Sequence, residues 1–140
     1  MKKYRIGYTQ GTFDTLHYGH VRLLRQAKEL CDYLIVGVNS DSLVREYKNT
    51  ETIVKEKERA EIVEAIKYVD KSVIVNTLDK MVQLGKFHFN AIFIGDDWKG
   101  NQRWAQTEEQ LREKNVPVVY LSHTPSISTT IVKSKILNKK

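Results

Sequence analysis

The fold class that this sequence predicts is α/β, a parallel sheet with helices on both faces. Short runs rich in β-branched and aromatic residues alternate with stretches whose apolar residues recur at helical spacing. Successive strand–helix units of that kind build parallel sheets through right-handed crossovers. The segments richest in Gly, Asp, Ser, Thr and His also follow strands, where such a fold gathers its ligands.

The first strand is the run Tyr4 to Thr9. Leu23, Leu24, Ala27, Leu30 and Cys31 then mark the apolar face of a helix beginning near Gly19 or His20, so Gly11 to Gly19 is a strand-to-helix turn. Tyr33 to Val38 reads as the second strand, Glu56 to Tyr68 as a helix and Lys71 to Val75 as the third strand. A weak helix from Leu78 to Phe87, a strand from Ala91 to Ile94, a helix near Thr107 to Lys114, a strand from Val116 to Leu121 and a helix after Ser128 complete the chain. Leu43 to Lys57 is charged and mostly non-periodic, with Arg45, Lys48, Lys55 and Lys57 among its cations. It reads as a loop over the ligand edge leading into the next helix, or as a solvated surface loop. Trp98 to Trp104, with Lys99, Gly100, Asn101 and Arg103, reads as an ordinary connection or a flap. The strand-end rule places residues 9–20, 39–41, 95–98 and 122–130 on one edge.

A chain of 140 residues with 41% hydrophobic content is expected to form one domain over 1–140 with a sizeable core. The longest uncharged apolar stretch is far short of a membrane span, and Met1-Lys2-Lys3 runs straight into a strand, so a cytoplasmic location is the default expectation. The single cysteine, Cys31, makes no internal disulfide and is expected in the core, on the apolar face of the first helix. A net charge of +6 favours an anionic partner. The sequence shows neither a basic stripe interleaved with aromatics nor a recognisable module, which argues against nucleic acid.

The turn itself reads Gly-Thr-Phe-Asp-Thr-Leu-His-Tyr-Gly-His from Gly11 to His20. A helix beginning there offers backbone N–H groups and the positive end of its dipole to an anion, with His17 and His20 flanking it. Gly95-Asp96-Asp97-Trp98 follows a late apolar run, and Ile127-Ser128-Thr129-Thr130 precedes the last predicted helix. Alone, the latter is a plain N-cap; set behind a strand, it is a second phosphate cradle.

Taken together, these motifs resemble the HxGH nucleotidyltransferase superfamily, and in the longer Gly-Thr-Phe-Asp-x-Leu-His-x-Gly-His form the glycerol-phosphate branch of the cytidylyltransferase family. The resemblance spans the chain and implies a Rossmann-like fold of the nucleotidyltransferase type. It implies transfer of CMP from CTP to a small polyol phosphate, with sn-glycerol 3-phosphate ranked first, for teichoic-acid or capsule polymers. Glycerol 2-phosphate, a sugar phosphate or another base stand as alternatives, as does a silent nucleotide-binding regulator. By the same resemblance His17, His20 and Lys48 are catalytic. Thr12, Phe13, Asp14, Gly19, Asp97, His123, Thr124, Ile127, Ser128, Thr129 and Thr130 hold the nucleotide, and Lys48, Arg59, Lys80 and Trp98 stand by the acceptor. Magnesium is expected to arrive on the triphosphate, with Asp14 the carboxylate nearest to it, and a homodimer is implied.

One position departs from the family. Where the family reads Arg-Thr-Glu-Gly-Ile-Ser-Thr-Thr, this chain reads His-Thr-Pro-Ser-Ile-Ser-Thr-Thr from His123 to Thr130. An imidazole is smaller than a guanidinium and charged only part of the time near neutrality. Either His123 performs a weaker version of the task, or Arg103 or Lys99 compensates.

Overall fold

A computed structural model describes residues 2–96, 99–122 and 135–136. The described elements are β1 (Tyr4–Gly11), α1 (Tyr18–Leu30), β2 (Cys31–Asn39), α2 (Asp41–Lys48), α3 (Glu56–Glu64), β3 (Lys71–Val75), α4 (Lys80–Phe87), β4 (Ala91–Gly95), α5 (Gln102–Glu113) and β5 (Val118–Leu121). The strands form one five-stranded sheet in the order β3-β2-β1-β4-β5, with every neighbouring pair parallel. From β1 the chain works outward to β2 and β3, then crosses back to β4 and β5. The carboxyl ends of β1 and β4 therefore border the crevice where the winding reverses.

Alternate residues of a strand face opposite sides of a sheet. In β2, Leu34, Val36 and Val38 pack with Leu24 and Ala27 of α1 and Val63 of α3, whereas Ile35 joins Tyr8, Ile92, Leu111 of α5, and Met81 and Leu84 of α4 on the other side. Helices thus cover both faces, and from Leu34 to Val38 β2 reads as an apolar run because neither side of that stretch meets water. None of the described helices is long and apolar enough to cross a membrane.

Several expected boundaries are corrected. The front of the 43–57 stretch is a helix, α2, rather than a loop. The Ser40 hydroxyl caps it by accepting from Leu43 N, Asn49 closes it in the left-handed region, and Leu43 and Val44 anchor it. With eight residues and so small a buried face, it carries too little periodicity to be read from sequence. Cys31 is the first residue of β2, not the last of α1; it is fully buried, and burial pushes its thiol pKa up. α1 starts at Tyr18, just ahead of the expected position. α3 stops at Glu64 because Ile66 and Val69 each donate three residues back, closing tight turns. α5 starts earlier than Thr107 because Asn101 accepts from the amides of Arg103 and Trp104. β5 begins at Val118 because the Val116 amide is taken by the Leu111 carbonyl at the end of α5. The helix expected after Ser128 lies outside the described residues.

Gly37 lets the two central strands carry a large ring. Tyr8 is fully buried, stacked on Phe89 at 4.9 Å and on Phe87 at 5.6 Å, and its hydroxyl crosses β2 where a Cβ on Gly37 would stand. Gly37→Ala should overpack this contact and lower stability by about 1–3 kcal/mol, read as a lower urea midpoint. An unchanged midpoint would mean that the Tyr8 ring shifts without cost.

Candidate active site

The site grows from the turn between β1 and α1. Phe13 and Thr15 hold positive φ angles of 55° and 53°, costly for residues with side chains. Neighbours impose them. Phe13 is buried against Gly11, where an added Cβ would press on its ring at 3.0 Å. Asp14 is buried, and its two carboxylate oxygens accept the amides of Ile53 and Val54 at 2.9 Å each, drawing that segment over the turn.

His17 is the N-cap of α1. Its Nδ1 accepts the Gly19 amide at 3.0 Å, while His20 Nδ1 accepts the His17 amide at 3.2 Å, a reciprocal capping box built from two imidazoles. The rings stack with centroids 4.0 Å apart, and Phe13 lies 5.3 Å from His20 on the other side. A neutral imidazole that accepts at Nδ1 carries its proton at Nε2. Burial lowers the pKa of His17, and burial together with the field of His17 lowers that of His20 to about 4. Near neutrality both rings are therefore uncharged donors through Nε2–H. The His17 Nε2 atom is buried without a protein partner, a state that costs roughly 1–3 kcal/mol unless something fills it.

This corrects one expectation about how the helix start works. The Gly19 amide is taken by His17 Nδ1, and the His20 and Val21 amides by the His17 carbonyl at 3.1 and 3.3 Å. What α1 presents in their place is the imidazole edge, so Gly19 serves the cap.

Around this turn the ends of β1 and β2 are tied together. Asn39 Nδ2 donates to Thr12 Oγ1 at 3.2 Å and to the Tyr47 hydroxyl at 3.1 Å. Below them runs the Arg59 side chain, fully out of solvent. Its Nη1 donates to the Thr12 and Asn39 carbonyls at 2.7 Å each, Nε to the Val54 carbonyl at 2.8 Å, and Nη2 to Asp41 Oδ1 at 2.5 Å. The expectation that Arg59 binds the acceptor is corrected, since its guanidinium is buried and engaged in holding loops. Burial works to raise the Asp41 pKa, but hydrogen bonds from the Thr52 hydroxyl, Arg59 and the Glu56 amide, with the Arg59 charge, hold it below the usual carboxylate range.

Lys48 ends α2, exposed, with Nζ 5.5 Å from the Tyr47 ring centroid. Lys80 differs. It is only 8% exposed at the start of α4, with Nζ donating to the Leu78 carbonyl at 2.8 Å and lying 5.4 Å from the Trp104 ring centroid. Burial lowers its pKa to about 8, against the pull of Asp79 and with the push of Arg103. The edge beyond β5 is fixed from α1, where Gln26 Nε2 and Arg22 Nη1 donate to the Ser122 carbonyl at 3.0 and 3.3 Å. Asp97, Trp98, His123, Thr124, Ile127, Ser128, Thr129 and Thr130 lie outside the described residues. Among the described residues no group of three or more His, Cys, Asp or Glu is placed to hold a metal. Each Asp14 oxygen accepts one backbone amide, so the carboxylate also holds the 53–54 segment over the turn.

Sequence reasoning puts Asn39 on the ligand edge but misses Tyr47, Trp104 and the α1 pair Arg22 and Gln26. Tyr47 and Trp104 depend on where α2 and α5 run, and Arg22 and Gln26 on the docking of α1 beside β5.

A family model described as cytidylyltransferase-like matches residues 8–135. The chain is 34% identical over 132 residues to the glycerol-3-phosphate cytidylyltransferase of Staphylococcus aureus, covering 94% of each. It is 35% identical to the FAD synthase of Archaeoglobus fulgidus, covering 92% of this chain and 95% of that protein. Among solved structures, the lipopolysaccharide core biosynthesis protein from Thermoplasma volcanium superposes with a TM-score of 0.76 at 27% identity, over 86% of this chain and 98% of that one.

Two measurements check this geometry. A histidine whose pKa falls on folding stabilises the folded chain fully above its unfolded value near 6.5 and loses that contribution as pH drops through about 4. The His20 ring should thus titrate near pH 4 by NMR, and stability should decline across that window less steeply in His20→Gln; a ring titrating near 6.5 would refute its burial. Arg59→Met should cost about 3–5 kcal/mol in denaturant unfolding, because it leaves Asp41 and three carbonyls without their donor. A native midpoint with only acceptor affinity lost would return Arg59 to substrate binding.

Proposed function

Because the chain belongs to the cytidylyltransferase-like family, we propose that it transfers CMP from CTP to a small polyol phosphate, sn-glycerol 3-phosphate first, giving CDP-glycerol and pyrophosphate. The observation that carries this reading is the buried, unpartnered Nε2–H of His17 beside the stacked His20 at the start of α1. The acceptor phosphate is already an anion, so its oxygen attacks the α-phosphorus directly, the bond to the pyrophosphate oxygen breaks, and no side chain has to remove a proton. Such a reaction needs positioning and stabilisation of charge developing on the phosphoryl oxygens. Two preorganised imidazole donors meet that need, and an orphaned donor is satisfied by the oxygen that takes up the charge.

In this reading Lys48, at the end of α2, and Lys80, between α4 and α5, supply cations for the acceptor phosphate. Thr12 and Phe13 line the nucleotide, and the resemblance gives Asp97, His123, Thr124, Ile127, Ser128, Thr129 and Thr130 to it as well, with Trp98 by the acceptor. Magnesium enters bound to CTP rather than in a protein cage. The homodimer and the use of the product in teichoic-acid or capsule polymers belong to the same reading and rest on the resemblance in the motifs. A second reading, another acceptor or another base on the same chemistry, is favoured by the similarity to an FAD synthase and by His123 standing where the family has arginine.

The test is a pyrophosphate-release assay of the four common nucleoside triphosphates against polyol and sugar phosphates. CTP with sn-glycerol 3-phosphate should give the highest rate. His17→Ala should lower kcat by roughly 10² to 10³ while changing CTP affinity much less, the loss expected for one transition-state donor. Binding of CTP without release from any pair would identify a regulator, and near-native turnover in His17→Ala would remove the histidine from the chemistry.

A further inference from the structure

Thr12 and Tyr47 share an unused proton, and its origin can be traced across the sheet. The Thr77 carbonyl only accepts, so the Gln10 side chain turns its nitrogen toward it, at 3.1 Å. That nitrogen also donates to Asn39 Oδ1 at 2.7 Å, and Gln10 Oε1 accepts the Tyr8 hydroxyl at 3.1 Å. The Asn39 amide is thereby fixed, with Oδ1 toward Gln10 and Nδ2 toward the site. Nδ2 donates to both hydroxyls, Thr12 Oγ1 at 3.2 Å and Tyr47 Oη at 3.1 Å. The hydroxyls stand 3.1 Å apart, and one of their protons makes that contact. The other is left over. Because Asn39 is 3% exposed, solvent does not reorient the amide, and the pair behaves as a net donor.

Where that proton points follows from exposure and charge. Tyr47 is 38% exposed, its neighbour Lys48 holds an ammonium 5.5 Å from its ring, and both sit at the carboxyl edge of the central strands. Either hydroxyl can donate across their mutual contact, and with an anionic acceptor at this edge the more acidic phenol turns to it, so that Thr12 donates to Tyr47 and Tyr47 donates outward. A donor beside a cation is matched by an anionic oxygen. We propose that Tyr47 is a phosphate-contacting residue of this site, its hydroxyl donating to a substrate phosphate oxygen next to the Lys48 ammonium. The proposal rests on the cytidylyl-transfer reading for the identity of that phosphate, which belongs either to the triphosphate or to the acceptor.

Tyr47→Phe keeps the ring under Lys48 and removes the hydroxyl. Calorimetry on native and variant chains with inorganic pyrophosphate, CTP and sn-glycerol 3-phosphate separates the sources. A weakening of about tenfold or more, the size for a hydrogen bond to a charged group, confined to CTP and pyrophosphate assigns Tyr47 to the triphosphate; confined to glycerol phosphate, it assigns Tyr47 to the acceptor. Unchanged affinities for all three overturn the proposal. A uniform loss for all three, as from a displaced Thr12 loop, overturns it as well, as does a native chain that binds none of them. A native chain that binds these ligands yet releases no pyrophosphate overturns only the reading of the reaction.

Discussion

The buried guanidinium of Arg59 is the constraint on which the rest of the site depends. One planar group reaches the carbonyl that follows β1, the carbonyl that ends β2, the loop before α3 and the carboxylate that opens α2. A lysine at this position would be a point charge on a flexible stem, without the fork that spans all four acceptors. Burying a cation is costly unless it is paired and hydrogen-bonded, and here Asp41 pairs with it while each of its three nitrogens donates. The charge that a family resemblance would assign to substrate thus ties three loop segments together.

The histidine pair follows a related logic. Two imidazolium rings stacked at 4.0 Å would repel, and burial already disfavours the charged form. Using both Nδ1 atoms as cap acceptors locks the tautomer, so that each neutral ring carries its proton on Nε2. Neutral donors suit a site for phosphate groups because they recognise oxygen by direction and release a charged product readily. The same interaction that terminates α1 in orderly fashion therefore also aims the donors, and a residue change that disturbs the cap disturbs the chemistry with it.

Much of this was legible in the sequence, and the reasons differ between elements. β2 and β4 are apolar on both faces, so their runs are unmistakable, and Lys71–Val75 was placed with its observed bounds. The HxGH turn was readable because it needs glycine, aromatic and imidazole at fixed spacing between a strand and a helix. α2 was not, because its stability comes from Ser40, Asn49 and two buried side chains rather than from a periodic stripe. Arg59 could be found as a cation but not as a structural one: a buried, fully paired arginine and a phosphate-binding arginine have the same sequence signature, and only the carbonyls around it tell them apart.

The two lysines illustrate how the fold assigns different tasks to one residue type. Lys48 stands in water at the end of a helix, where its ammonium is screened and mobile and costs nothing to present. Lys80 is withdrawn between Leu78 and Trp104, with a pKa lowered to about 8, so it is still largely protonated near neutrality but poorly solvated. A poorly solvated ammonium gains more from an incoming phosphate than a hydrated one does, because less water has to be removed to make the contact. The charge of Lys80 is therefore pH-dependent, since raising the pH through about 8 removes it. The charge state of this amine is thus set by how deeply α4 and α5 bury it.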